Sequence, residues 1–190
     1  MAWRSFFARI CSKGACWAFG VNAALEGVYQ IATGQLRSLS EQQLIDCSVS
    51  SGNTGCEGGD QNLAFDYIVK NRGLDSEDDY TYDANNEVCW DNAAKRVVAS
   101  MDSYTKVPPN QEAELAAAVA LGPVVVSVEG TAPGFQHYSS GVFAGPCGTQ
   151  LDHNVALVGL SDAAYIIKNS VRARFVLTCA FYSLWSMAQP

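Results

Sequence analysis

The sequence is poor in histidine and in basic residues. Its 190 residues hold two histidines, and 12 lysines and arginines stand against 19 aspartates and glutamates, for a formal net charge of −7. Phosphate backbones are bound by clustered cations, so nucleic acid is excluded as the main partner. No apolar run reaches the roughly 18 residues that span a bilayer, so no membrane partner is expected. The opening MAWRSFFARICSKG mixes charge with apolar residues instead of setting a charged head before an apolar stretch, so it does not read as a signal peptide. Neither Cys-x-x-Cys nor Asn-x-Ser/Thr occurs. The first absence, with so few histidines, leaves zinc without ligands at the usual spacing, and no metal or other cofactor is expected. The second argues against N-glycans. Charged residues are only 16 % against 48 % hydrophobic, which excludes disorder and calls for a packed core.

Cysteine, by contrast, is plentiful. Cys11, Cys16, Cys47, Cys56, Cys89, Cys147 and Cys179 make three pairs and one over, which suits an oxidising compartment and leaves a thiol to explain.

The chain changes character midway. From Cys16, apolar residues at 18, 19, 21, 25, 28 and 31 recur at helical spacing, with Gly34 as a stop. Ser40 with Gln43 three residues on is a capping-box pattern that starts a second helix. SVSSGNTGCEGG reads as a loop, and Asp60 as the N-cap of a third helix that ends before Gly73. Val107-Pro108-Pro109 reads as a linker, and NQEAELAAAVALG as a short helix capped by Asn110. GPVVVSVEG, HYSSGVFAG, HNVALVGL and AYIIK are β-rich and bounded by Gly, Pro and Ser. A helical lobe to about residue 106 followed by a β lobe is expected, with a cleft between them.

A cysteine at the first position of a helix sits at the positive end of the helix dipole. Free N–H groups there favour the thiolate. A thiolate in a cleft needs a base, and only His137 and His153 can supply an imidazole. His153 opens the strand HNVALVGL, and His137 lies within a strand-like run beside Tyr138. Taken alone, such residues are more often packed groups than catalysts, and the choice stays open.

At Gly14-Ala15-Cys16-Trp17 the chain resembles the papain-like cysteine proteases, whose nucleophile block reads Cys-Gly-(Ser or Ala)-Cys-(Trp or Tyr). Similar blocks follow in the family's order: LSEQQLIDC (39–47), GCEGG (55–59), YSSGVFAGPCGTQLDHNVALVG (138–159) and IIKNS (166–170). His153 lies 137 residues after Cys16 and Asn169 lies 16 after His153, near the family's separations. The resemblance covers about 14–170. It implies an α+β, papain-like two-lobe fold, with residues 1–106 as the helical lobe and residues 107–190 as an antiparallel β-barrel-like lobe. It implies a cysteine endopeptidase in which Cys16 attacks, His153 transfers the proton and Asn169 orients the ring. Gly58, Gly59, Asp60, Ser127, Leu151 and Asp152 match substrate-binding positions. Asp60 stands where the family often has an aromatic or apolar residue, which leaves side-chain preference open between polar and basic substrates. Expected partners are extended peptides or proteins and cystatin-like inhibitors. The resemblance also implies a monomer and a secreted, vacuolar or lysosomal location.

The resemblance pairs Cys47 with Cys89, and Cys147 with Cys179. Cys56 normally bonds a cysteine three residues before the nucleophile, where this chain has Lys13; either Cys11 takes that place or both stay unpaired. Two further positions depart from the family. Ile10 replaces the glutamine whose amide helps to hold the oxyanion, and Val171 replaces the tryptophan after Asn169-Ser170. These departures keep a second expectation alive: a catalytically impaired papain-like protein that binds peptides or inhibitors.

Overall fold

Ala18, Val21, Leu25 and Val28 follow one another at steps of three and four, and in the computed structural model they form the buried stripe of helix α1 (Cys16–Thr33). The structure describes residues 11, 14–90, 96–145, 148–161, 164–170, 175–177 and 184–187. Helix α1 ends at Gly34, whose φ of 74° closes the last turn by an N–H bond to the Gln30 carbonyl at 2.8 Å. Helix α2 (Glu41–Cys47) starts at Ser40, whose hydroxyl accepts from the Gln43 N–H at 2.9 Å. The reciprocal half of the capping box is not made. The Gln43 Oε1 accepts from Asp75 N, and Ser40 N donates to the Asp75 carbonyl, so a neighbouring loop takes both groups. Two short 3-10 turns, Ser48–Ser51 and Gly55–Glu57, lead to α3 (Gln61–Asn71), which Asp60 caps through the Asn62 N–H at 2.7 Å.

The second half is a sheet. Its strands are β1 (Tyr104–Val107), β2 (Val124–Val128), β3 (Val142–Phe143), β4 (His153–Ser161), β5 (Ala164–Lys168), β6 (Phe175–Leu177) and β7 (Leu184–Met187). Among the described residues they run in the order β1-β7-β2-β4-β5-β6-β3, antiparallel except for β3 with β6. Helix α4 (Glu112–Leu121) and the one-turn α5 (Pro133–Gln136) precede and follow β2.

Three sequence expectations need correction. Val107 is not linker but the buried last residue of β1; Pro108 and Pro109, lacking an N–H, stop the strand behind it. Asn110 does not cap α4. It takes a left-handed turn conformation with φ 61°, which Asn tolerates, and Gln111 holds the N-cap position without a side-chain bond. The segment HYSSGVFAG yields only the two-residue β3, because the chain before it coils into α5 behind Pro133, leaving His137 at the helix end.

Strand β2 is buried on both faces, which explains why it is apolar throughout except for Ser127. Val125 joins the helical core around Trp17, Leu25, Phe65 and Ile68, while Val124, Val126 and Val128 join a second core with Leu115, Phe135, Val155 and Leu157. The α1–sheet contact is therefore the seam between the two cores. Two disulfides, Cys11–Cys56 and Cys47–Cys89, staple the helical part. Cys147 and Cys179 lie outside the described residues.

Carboxylates gather beside the seam. Glu26 Oε1 accepts from Leu39 N at 3.0 Å, and its Oε2 lies 3.8 Å from Lys168 Nζ. Burial pushes the Glu41 carboxyl up to about 8; Glu26 and Glu77 add to the shift by repulsion, while its own N–H and Lys168 oppose it. Burial also raises Glu26 and Glu77. A carboxyl raised in the folded state favours folding while protonated, and that contribution is lost as pH climbs from the ordinary 4.5 through about 8. Thermal unfolding should thus show a midpoint that falls between about pH 5 and about pH 8, with Glu41→Gln removing most of the fall. An equal slope in the variant would assign the fall to other groups.

Candidate active site

Cys16 is the first residue of α1, and Ala15 before it offers no side-chain cap. The N–H groups that open the helix favour negative charge on the sulfur, the Trp17 N–H among them. The approach to Cys16 is held tightly. A Cβ on Gly14 would stand 2.4 Å from the Cys56 carbonyl oxygen and 2.7 Å from Gly58 N, so only glycine lets the two loops touch. Buried Trp17 donates its indole N–H to the Gly55 carbonyl at 3.3 Å, and the Cys11–Cys56 bond closes the same junction. Cys16 itself stays partly exposed and is the free cysteine of the described residues.

His153 opens β4, in register with Val128 of β2. Its Nε2 lies 2.9 Å from Asn169 Oδ1, just beyond the end of β5. An amide oxygen only accepts, so Nε2 carries the proton there, and the other ring nitrogen is left to the Cys16 sulfur, whose ionised form the imidazole favours. Phe135 packs edge-on against the ring at 6.1 Å. Asp152 ties the start of β4 to the turn after β2: its carboxylate accepts from Gly130 N and Thr131 Oγ1, each at 2.7 Å. His137 is exposed at the end of α5, so of the two imidazoles it is His153 that meets the thiol.

The electrostatics favour charge separation. Burial pushes the Cys16 thiol up, but the His153 hydrogen bond, the Asn154 main-chain N–H, the nearby imidazolium charge and the Trp17 N–H together bring it below the ordinary thiol value. Burial likewise pushes His153 down, and its bonds to Cys16 and Asn169, with the charges of Cys16 and Asp152, lift it above the ordinary imidazole value. Each group thus stabilises the ionised form of the other.

The remaining sequence-derived positions divide. Gly58 has φ 127° and its carbonyl accepts from Thr54 N and Oγ1; Gly59 is exposed, its Cα against the Trp17 indole. The Asp60 carboxylate is engaged in capping α3. Ser127 is buried, with its hydroxyl on Asn154 rather than facing open space, and Leu151 is 38 % exposed at the loop before His153. Ile10, Lys13 and Val171 lie outside the described residues. Three neighbours were not legible in the sequence. Phe135 sits between two segments that read as strand, in a stretch with no reading of its own, Gly130 closes the first of them, and the Asn154 main chain has no sequence signal at all.

A helical half, a mainly antiparallel sheet and a Cys-His-Asn row across their seam define the papain-like fold. A solved structure of the Carica candamarcensis cysteine protease CMS1MS2 in complex with E-64 superposes with a TM-score of 0.87 at 34 % identity, over 96 % of this chain and 92 % of that one. Residues 9–176 match the papain family cysteine protease description. Thiol protease SEN102 of a Hemerocallis species is 48 % identical over 162 residues, 83 % of this chain and 44 % of that protein. Probable cysteine protease RD21B of Arabidopsis thaliana is 47 % identical over 163 residues, 84 % of this chain and 35 % of that protein. The chain belongs to the papain family of cysteine proteases. It spans about a third to a half of the length of these curated relatives.

Two substitutions test the geometry. Asn169→Ala removes a bond that favours the charged ring, so the His153 pKa, read by NMR titration, should fall toward its ordinary value. In Gly130→Ala the new methyl would stand 2.6 Å from His153 Cβ, forcing the ring aside, and the same titration should show the Cys16-dependent rise lost. A His153 titration unchanged in both variants would show that the ring is held otherwise.

Proposed function

We propose that this chain is a cysteine endopeptidase that hydrolyses extended peptides through a thioester on Cys16. The observation that carries the reading is the row Cys16–His153–Asn169, in which Asn169 holds the ring of His153 by a hydrogen bond and thiol and imidazole shift each other, the first lowered and the second raised. In this reading the Cys16 thiolate attacks the scissile carbonyl carbon, and the carbonyl electrons move to oxygen. The tetrahedral intermediate collapses, the C–N bond breaks and His153 gives its proton to the leaving amine. Water, deprotonated by His153, then attacks the thioester; the acid leaves and the thiolate returns. Asn169 keeps the ring aligned throughout. Residues 1–106 supply the nucleophile and 107–190 the base.

Substrate binding falls to the exposed Gly59 main chain with Gly58, and to Asp60, Leu151 and Asp152 around the cleft, while Ser127, buried with its hydroxyl on Asn154, is left out of it. Peptides or proteins are the substrates, and cystatin-like proteins the inhibitors. Two disulfides suit a secreted or vacuolar setting.

Turnover is weakened in this reading. Isoleucine at position 10 offers no donor to the oxyanion, and loss of one such donor costs ~10²–10³ in rate. That residue and Val171 also favour a second reading, an impaired protein that holds peptides or inhibitors without cleaving them.

An epoxide of the E-64 type should label Cys16 one-to-one under mildly acidic reducing conditions, and His153→Ala should abolish the adduct. No adduct on the unmodified chain would remove the enzyme. Turnover of a fluorogenic dipeptide amide should be slow and should rise by ~10²–10³ in Ile10→Gln. Labelling without any turnover, in the chain or in Ile10→Gln, would select the second reading. The rate should follow a bell in pH, with its acid limb below the ordinary thiol range and its alkaline limb above the ordinary imidazole one.

A further inference from the structure

Asn154 follows His153 on β4 and faces the other way, toward α1: a Cβ on Gly20 would stand 3.4 Å from the Asn154 Cβ. Its register partner on β2 is Ser127. The Ser127 hydroxyl donates to Asn154 Oδ1 at 2.8 Å, and Asn154 Nδ2 donates to Gln61 Oε1 at 3.1 Å. Gln61 is the first residue of α3. The three are 8 %, 8 % and 6 % exposed, so their hydrogen bonds are made almost out of water's reach. The relay joins the sheet to the helical part across the seam, and its middle member directly follows His153 and packs on Gly20 of α1, the helix that Cys16 opens.

Three buried polar side chains are a costly way to fill space. An apolar trio of similar volume would pack without desolvating an amide or a hydroxyl. Once satisfied, such a network fixes geometry: each member has few other partners, so rotation of one strands the others. Here the fixed element is the main chain between His153 and Val155, from which the imidazole that favours the ionised sulfur is held.

We propose that Asn154 is a positioning residue: the Ser127–Asn154–Gln61 relay holds the start of β4 against α1 so that His153 stays set beside the Cys16 sulfur. The proposal rests on the reading of Cys16 as the nucleophile.

The test uses the full chain and a readout that a purely structural bond would leave alone. Ser127→Val and Ser127→Thr match in shape and differ in the hydroxyl; Gln61→Met removes the amide at constant length. The rate of Cys16 alkylation by iodoacetamide is followed against pH, beside the thermal midpoint. Ser127→Thr should track the unmodified chain. Ser127→Val, Gln61→Met and Asn154→Ala should move the acid limb upward by about half a unit or more, slowing alkylation near about pH 6 by ~3–10-fold. The Ser127→Val/Gln61→Met double variant should shift less than the two single shifts added, since the relay breaks once. A lowered midpoint in Ser127→Val with alkylation still on the unmodified curve overturns the proposal and leaves the relay structural. A thiol in the unmodified chain that reacts only in the ordinary thiol range overturns the nucleophile reading itself, and the relay's role with it.

Discussion

The structure depends on one electrostatic pairing, a sulfur and an imidazole delivered from elements that share no local sequence. Sulfur comes from the first turn of α1, where N–H groups lack helical partners. The ring comes from the first residue of β4, and the group that steers it comes from the end of β5. Neither ionised form is favoured by burial, which opposes both. The pair survives because each partner is the other's counter-charge. That makes the relative placement of α1 and the sheet the quantity the rest of the fold has to fix.

Several features serve that placement. Strand β2 is buried on both faces, so it belongs to both cores and cannot drift toward either. Gly14 lets the residues before the nucleophile touch the 56–58 loop, and Trp17 locks that loop from beneath. Asp152 binds the turn after β2 to the foot of β4. Apolar packing supplies most of the adhesion, being large and non-directional. The polar ties set angles, which packing alone leaves loose.

Legibility in the sequence tracked the range of the interaction. Local rules worked: Cys16 at the helix start, Gly34 at its end, Ser40 and Asp60 as caps, the apolar run of β2. They failed where a distant segment intervened, as at Gln43, whose side chain serves Asp75. They also failed where two local preferences competed, as at Asn110, which can cap a helix or take a left-handed turn and does the latter. Cys16, His153 and Asn169 were visible only because several ordered blocks resembled one family. Periodicity and composition left the choice of histidine open. Asn154 escaped notice altogether, because its partners Ser127 and Gln61 are 27 and 93 residues away and no pattern along the chain links them.

Among the described residues both disulfides close loops within residues 11–89, and one of them, Cys11–Cys56, braces the junction that carries the Cys16 sulfur. A papain-family thiol works only when reduced, whereas its brace works only when oxidised. Any added mercaptan therefore acts on two opposed redox demands in one small region: it regenerates a sulfenylated Cys16 and, in larger doses, attacks the disulfide of the half-buried Cys56 nearby. For the proposed enzyme this leaves an intermediate redox interval, bounded below by loss of the clasp and above by overoxidation of the thiol.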